Sequence, residues 1–324
     1  MTAKNILIVA IATLVPCAAQ SIRADFNADG FSDVAIGAPG ESVEGAANAG
    51  AVYVIYGNSS GLTTSSPTPA AQRWTRQSEG IPGVSAANDR FGASVAAGDV
   101  NNDGFPDLAI GVPSENVGDI VNAGAVNVLY AGAGGLQGDG AQIWTQNSIY
   151  GSSPSVFEGS PSEAHDQFGF SLAAGDFNGD LRTDLAIGVP FEDIVSDRTG
   201  TLTVIQNAGQ VDIVYGSPSG LSTQGRAPQM YHQDSINIEG IAEANDNFGA
   251  SLSAPPLGSD SRRDLLIGVP GDRANNVACG AVNVLYASSQ NNGLSSFGDQ
   301  LWRPGAGGVP GSCSSGSQFG GAVR

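Results

Sequence analysis

Three short acidic turns gather the side chains best suited to chemistry. Asp25, Asn27 and Asp29 alternate along the chain, and Asp33 follows at the start of an apolar run. Asp99, Asn101, Asp103 and Asp107 repeat the spacing, as do Asp176, Asn178, Asp180 and Asp184. Alternation puts the first three side chains on one side of a tight turn, and the fourth returns from the next strand. Carboxylates packed so closely repel one another unless a cation sits among them. Oxygen donors of this kind suit calcium, which takes about six to eight oxygens from carboxylates, amides and backbone carbonyls. The backbone at Phe31, Phe105 and Arg182 completes the three predicted donor sets. Gly30 and Gly104 allow the sharp bend in the first two loops, whereas the third has Leu181 there and its glycine at Gly179. An Asn/Asp/Gly turn needs no ion by itself. Three in register favour metal, and about three calcium ions are expected.

A fourth turn holds Pro256, Gly258, Asp260 and Asp264. Its first two positions have lost their oxygens, so it is predicted to bind no ion. Arg262 and Arg263 are expected to neutralise its remaining acids.

The elements that position these turns recur every 74 to 80 residues. Each turn leads into an apolar block ending in proline: Val34–Pro39, Leu108–Pro113, Leu185–Pro190 and Leu265–Pro270. A second block follows at Gly50–Tyr56, Gly124–Tyr130, Gly209–Tyr215 and Gly280–Tyr286, alternating with the period of two expected of strands. Then come a Gly-Leu turn (Gly61, Gly135, Gly220, Gly293), an aromatic residue (Trp74, Trp144, Tyr231, Trp302) and a Phe-Gly pair (Phe91, Phe168, Phe248, Phe319). Each cycle therefore holds about four short strands, and tandem four-stranded units are the signature of propeller blades. The fold class is all-β, a β-propeller of four-stranded blades, with repeats at about 25–90, 91–167, 168–247 and 248–318.

The paired Phe-Gly and Gly-Ala-Pro signatures, with an Asp-rich loop between them, resemble the FG-GAP repeats of integrin α-subunit propellers. Gly37-Ala38-Pro39 matches literally, and the other repeats read Gly-Val-Pro. The resemblance covers nearly all of residues 20–324. It implies calcium in the loop between a blade's first two strands, and adhesion to a cell surface or extracellular matrix as the function. The implied partner is an extracellular protein, matrix or cell-surface ligand. Integrin-like rings have seven blades, so either the four repeats form part of a larger ring, or residues 319–324 supply the strand missing before Asp25 and close a ring of four.

Composition narrows the classes. The chain carries 31 acidic and 13 basic residues, a net charge of −18, with 41% hydrophobic residues and 46 glycines. So few cations argue against nucleic acid as a partner, and so much glycine against long helices. Lys4, the apolar run Ile6–Val15 and the small residues Cys17, Ala18 and Ala19 have the plan of a secretory signal peptide cleaved after Ala19. The run is too short to span a bilayer, so a secreted or cell-surface protein is expected, without a transmembrane segment in the mature chain. Cys279 and Cys313 would then remain, able to pair or to stay as thiols.

No catalytic constellation stands out. His165 and His232 fall where other repeats have Asn88 and Asn245, or Thr75 and Thr145. Glu41, Glu115 and Glu192 read as solvated rim residues, and the recurring Trp and Tyr positions as packing. The expectation is a binding module and not an enzyme, the alternative being an extracellular propeller hydrolase or lyase acting on glycans.

Overall fold

A computed structural model of the chain describes residues 20–64, 69–151, 161–198, 200–258, 260–288, 290 and 293–323. The leader predicted over residues 1–19 lies outside them. The described residues are almost entirely strand and turn, arranged as four antiparallel meanders in sequence order. The first unit comprises β1 (Ser21–Ala24), β2 (Asp33–Ala38), β3 (Ala51–Asn58), β4 (Gly61–Thr63) and β5 (Gln72–Trp74). The second comprises β6 (Ser94–Gly98), β7 (Asp107–Val112), β8 (Ala125–Gly132) and β9 (Gly135–Trp144), followed by the single-turn helix α1 (Gln146–Tyr150). The third has β10 (Ser171–Gly175), β11 (Asp184–Val189), a side hairpin of β12 (Ile194–Ser196) and β13 (Thr203–Ile205), then β14 (Gln210–Ser217), β15 (Gly220–Ser222) and β16 (Gln229–Tyr231). The fourth has β17 (Ser251–Ser253), β18 (Leu265–Val269), the short pair β19 (Arg273–Ala274) and β20 (Val277–Ala278), then β21 (Ala281–Ser288) and β22 (Gly293–Trp302).

In units two and four the outermost strand is continuous, with a bulge opposite Val128–Tyr130 and Val284–Tyr286. In units one and three the same strand is split, so that β4 with β5, and β15 with β16, both pair with the third strand. The predicted cycle of four strands is therefore present in each unit.

One sheet cannot bury both of its faces, and here neighbouring units bury them for each other. Three hydrophobic clusters lie at the three junctions. Phe26, Val52 and Val54 of unit one meet Leu108, Ile110 and Leu129 of unit two. Val126 and Val128 meet Leu185, Ile187 and Val214, and Val211 and Ile213 meet Leu265, Ile267 and Leu285. Truncating a fully buried phenylalanine such as Phe168 or Phe248 at such a junction costs about 3–5 kcal/mol. The first strands β1, β6, β10 and β17 lie side by side in that order, a propeller-like arc.

The recurring glycines follow from this packing. The Phe-Gly segment that opens units two, three and four first crosses the sheet before it: Phe91 bridges Gly50, Phe168 bridges Gly124, and Phe248 N–H donates to the Ala208 carbonyl. A Cβ on Gly37 would run into the carbonyl of Gly92, and one on Gly111 into that of Gly169. The glycines of the Phe-Gly and Gly-x-Pro signatures are thus each other's reason.

Of the two arrangements left open for the chain ends, the structure does not show closure by residues 319–324. The place beside β2 assigned to residues 319–324 is occupied by β1, whose Ser21–Ala24 pairs with Asp33–Ile36. Phe319 bridges Gly280 of unit four, repeating the earlier crossings. The choice left open for the cysteines is decided: Cys279 and Cys313 are disulfide-bonded, with Cα atoms 5.3 Å apart. No helix among the described residues is long and apolar enough to cross a membrane.

Candidate metal loops

The three acidic turns connect the first and second strands of units one, two and three, at equivalent ends of their sheets. In the first, the Asp25 carboxylate accepts the N–H groups of Asp29 at 3.0 Å and Gly30 at 2.8 Å. Asn27 Oδ1 accepts Asp29 N–H at 3.3 Å, and Asp29 Oδ1 accepts Phe31 N–H at 2.9 Å. The second loop repeats this with Asp99, Asn101, Asp103 and Phe105. In both, the amide of Asn27 or Asn101 also donates to Asp29 or Asp103.

The third loop keeps the turn by other means. Asp176 accepts from Gly179, Asp180 and Leu181, and Asn178 accepts from Asp180 at 2.8 Å. Leu181 adopts a positive φ of 70°, as Gly30 does at 90° and Gly104 at 94°. Its missing glycine has not changed the path of the loop. The Arg182 guanidinium pairs with Asp180 at 3.1 Å, so this residue brings a cation of its own as well as the predicted carbonyl. Arg262 of the fourth unit reaches the Asn178 carbonyl at 3.5 Å and pairs with Asp260 at 3.0 Å. Arg263 joins the same loop through its N–H, which donates to the Asp176 carbonyl at 3.0 Å.

The last acid of each turn has a role that its residue type did not disclose. Asp33 accepts Phe26 N–H at 2.7 Å and Gly57 N–H at 2.8 Å, tying the loop to the third strand. Asp107 does the same with Val100 and Ala131, and Asp184 with Phe177 and Gly216. Asp264 keeps the tie, to Leu257, Gly258 and Ala287, in the loop that lost its other donors. A structural duty independent of any ion therefore belongs to this position.

Burial is the main influence raising Asp107 to about 7, opposed by its two N–H bonds and reinforced by the charges of Asp103 and Asp99. The same balance takes Asp184 to about 8 and raises Asp33. The donor set is chemically suited to calcium: two carboxylates, an amide and a backbone carbonyl on one turn, over a third carboxylate whose charge they oppose. Among the described residues, no three His, Cys, Asp or Glu side chains are drawn together into a metal cage. The carboxylates instead face the N–H groups of their own loops.

The expectation of solvated rim glutamates needs correction. Glu192 is buried and accepts from Gln146 Nε2 of the preceding unit at 2.6 Å. Glu115 pairs with Arg76 of its preceding unit, and Asp272 accepts from Gln233 at 2.9 Å. Glu41 stays within its own unit, bonded to Arg73 and Tyr53. His165 follows the reading of a turn residue: its φ of 76° matches Asn88 at 71° and Asn245 at 67°. Its Nδ1 stands 3.2 Å from the Asn122 amide, where Asn88 and Asn245 place an oxygen.

The FG-GAP repeat model matches residues 23–55, 91–129 and 168–205, each spanning an acidic loop and the strands beside it. The chain carries three FG-GAP repeats. Human phosphatidylinositol-glycan-specific phospholipase D is 37% identical to it over 76% of this chain and 25% of that protein. The bovine protein of the same name is 38% identical over 52% of this chain and 18% of its own length. Integrin alpha-3 of Cricetulus griseus is 32% identical over 55% of this chain and 14% of its own. The chain thus spans a quarter or less of the length of these relatives. The expectation that it is not an enzyme is overturned, because relatives from several organisms bear the name of a phospholipase.

Proposed function

We propose that this chain is a calcium-stabilised β-propeller module, exported through residues 1–19, whose rim loops bind an extracellular protein, matrix component or cell-surface ligand. The observation that carries the reading is the recurrence of one hydrogen-bonded donor arrangement in three successive units, in a chain similar to integrin alpha-3. Asp25, Asn27 and Asp29 would hold one ion with the Phe31 carbonyl, and Asp99, Asn101 and Asp103 a second with that of Phe105. Asp176, Asn178 and Asp180, with the Arg182 carbonyl, would hold a third. A bound calcium supplies positive charge that lets neighbouring carboxylates remain ionised together. The protein's own part is geometric: Asp33, Asp107 and Asp184 lock each loop to the third strand, so the rim is stiff before any ligand arrives.

Calorimetric titration of the chelator-stripped chain with calcium should count about three ions, consistent with the three donor sets. Asp103→Ala should remove one, and Asp260→Ala none. Fluorescently labelled chain should bind cells in calcium and lose that binding in chelator. No calcium uptake by either heat or metal analysis would overturn the proposal.

A second reading has separate support, the 37% identity to human phosphatidylinositol-glycan-specific phospholipase D. On it, the propeller is the part of a phospholipase that engages the surface carrying its substrate. Release of a glycosylphosphatidylinositol-anchored reporter from cells, assayed with and without the chain, tests it. Unaltered release would count against it.

A further inference from the structure

The acidic turns join first strands to second strands, so the loops that follow the second and fourth strands lie at the other end of each antiparallel sheet. At that end a cavity opens between units three and four. Its volume is about 470 Å³, within the range of about 300–1,000 Å³ typical of small-molecule sites. Its walls include Glu239, Ile241 and Glu243 from the crossover after β16, and Arg273, Leu301 and Arg303 from unit four.

Four of these residues are charged, and their counterparts at the first junction are neutral. Glu239 stands where Pro82 does, for the carbonyl of each accepts an amide of the next unit, Asn283 at 2.9 Å and Asn127 at 3.0 Å. Glu243 stands where Ala86 does, donating its N–H to Asp246 as Ala86 does to Asp89. Arg273 and Arg303 follow Asp272 and Trp302 as Asn116 and Thr145 follow Glu115 and Trp144. Two carboxylates and two guanidiniums thus replace four neutral residues, in a chain with only 13 basic side chains.

These charges satisfy one another only in part. Arg303 donates through Nε and Nη2 to Asp272 at 2.7 and 2.8 Å, which leaves Nη1 without a hydrogen bond to any described residue. Arg273 stands 3.6 Å from Glu243, an ion pair too long to be a hydrogen bond. Glu243 Oε2, shielded from solvent, has no hydrogen-bond partner. Glu239 accepts the Leu301 N–H at 3.2 Å through Oε2 alone. Guanidinium donors and carboxylate acceptors therefore face one cavity with unused hydrogen-bonding capacity. Ile241, an exposed side chain, and Leu301 supply its apolar wall.

We infer that this cavity binds a small zwitterion, an α-amino acid with an apolar side chain. A lone anion would gain the guanidiniums but lie against Glu239 and Glu243. A lone cation would gain those carboxylates but lie against Arg273 and Arg303. A ligand carrying both charges satisfies both sets. Its carboxylate would take Arg273 and Arg303 Nη1, its ammonium Glu239 and Glu243, and its side chain the wall of Ile241 and Leu301. The inference goes beyond the proposed function and rests neither on calcium nor on an extracellular partner.

Equilibrium dialysis of the full chain against labelled L-leucine, with calcium held constant, tests this. Saturable binding at a single site is expected. L-leucinamide lacks the carboxylate and N-acetyl-L-leucine the ammonium, and each should compete about tenfold more weakly than leucine or worse. Arg273→Gln and Glu243→Gln should each weaken leucine binding by a similar factor. Both side chains are 43% exposed, so urea melts of the variants should match the parent's. Arg303 is kept, because its loss would strand the buried Asp272 carboxylate. Phosphoethanolamine, a zwitterion without an apolar body, separates an amino acid from a lipid headgroup and should compete poorly. Absence of saturable leucine binding overturns the inference, as does binding that both variants leave unchanged. So does displacement by leucinamide, N-acetylleucine or phosphoethanolamine as effective as that by leucine itself.

Discussion

Asp176 Oδ2 accepts the N–H of Leu181 at 3.0 Å, and Leu181 meets it with a left-handed backbone. The side chain is 74% exposed, so burial returns nothing for that conformation. The left-handed region costs a residue with a Cβ about 1–2 kcal/mol, whereas glycine in a folded chain gives up about 0.5–1 kcal/mol of entropy. The first term is larger. Leu181→Gly should therefore stabilise the chain by about 0.5–1 kcal/mol in urea melts, and Leu181→Val should destabilise it.

That loop also illustrates what could be read from residues alone. The four units were legible because the Asp turns, Gly-x-Pro blocks and Phe-Gly pairs recur in register, and each marks a fixed place in the strand cycle. The first strand was not. Ser21–Ala24 carries no Phe-Gly pair and is held by backbone pairing to β2, which leaves no mark on residue type. Glu115 and Glu192 were read as solvated because a lone glutamate on a loop usually is. Their partners, Arg76 and Gln146, lie 39 and 46 residues away and meet them only when units stack. Asp33 looks the same in sequence whether it binds an ion or two N–H groups.

Asp212 is buried between units, where Tyr150 donates to its Oδ1 at 2.6 Å and Gln210 at 2.7 Å. Its Oδ2 has no partner among the described residues. Burial raises this carboxyl to about 7 from 3.8, against the lowering effect of the two hydrogen bonds. The folded state therefore holds the proton more tightly than the unfolded chain. The associated stability is complete below about pH 4 and lost as pH rises through about 7. Asp212→Asn cannot ionise. Relative to the parent it should gain stability at pH 8 compared with pH 5, and a difference between the two proteins that does not change with pH would contradict this account.

Cys279 and Cys313, 34 residues apart, clasp the Phe319 crossing to unit four, beside the Phe319 N–H bond to the Cys279 carbonyl at 2.8 Å. This is the unit whose acidic loop lacks donors, and among the four it is the one crosslinked covalently. Closing a loop of that length is worth about 3–4 kcal/mol in the chain-entropy model. The double variant Cys279→Ala with Cys313→Ala should lose about that much in urea melts, and a thiol reductant should have no further effect on it.

The ties made by Asp107 and Asp264 separate structure from metal binding. Asp107 sits in a loop with a full donor set, and Asp264 in one without, yet both carboxylates accept N–H groups from their own loop and from the third strand. An asparagine keeps one acceptor and turns an amide N–H₂ toward the other N–H, leaving a buried donor unsatisfied at about 1–3 kcal/mol. Asp107→Asn and Asp264→Asn should therefore both destabilise the chain by amounts in that range, with chelator present throughout. If the position served ions alone, Asp264→Asn would melt like the parent, because its loop has no other donors to share an ion with. Calcium added afterwards should widen the gap for Asp107→Asn only, since loosening the tie that holds its loop would weaken the ion binding from which the parent gains, and should leave the gap for Asp264→Asn as it was.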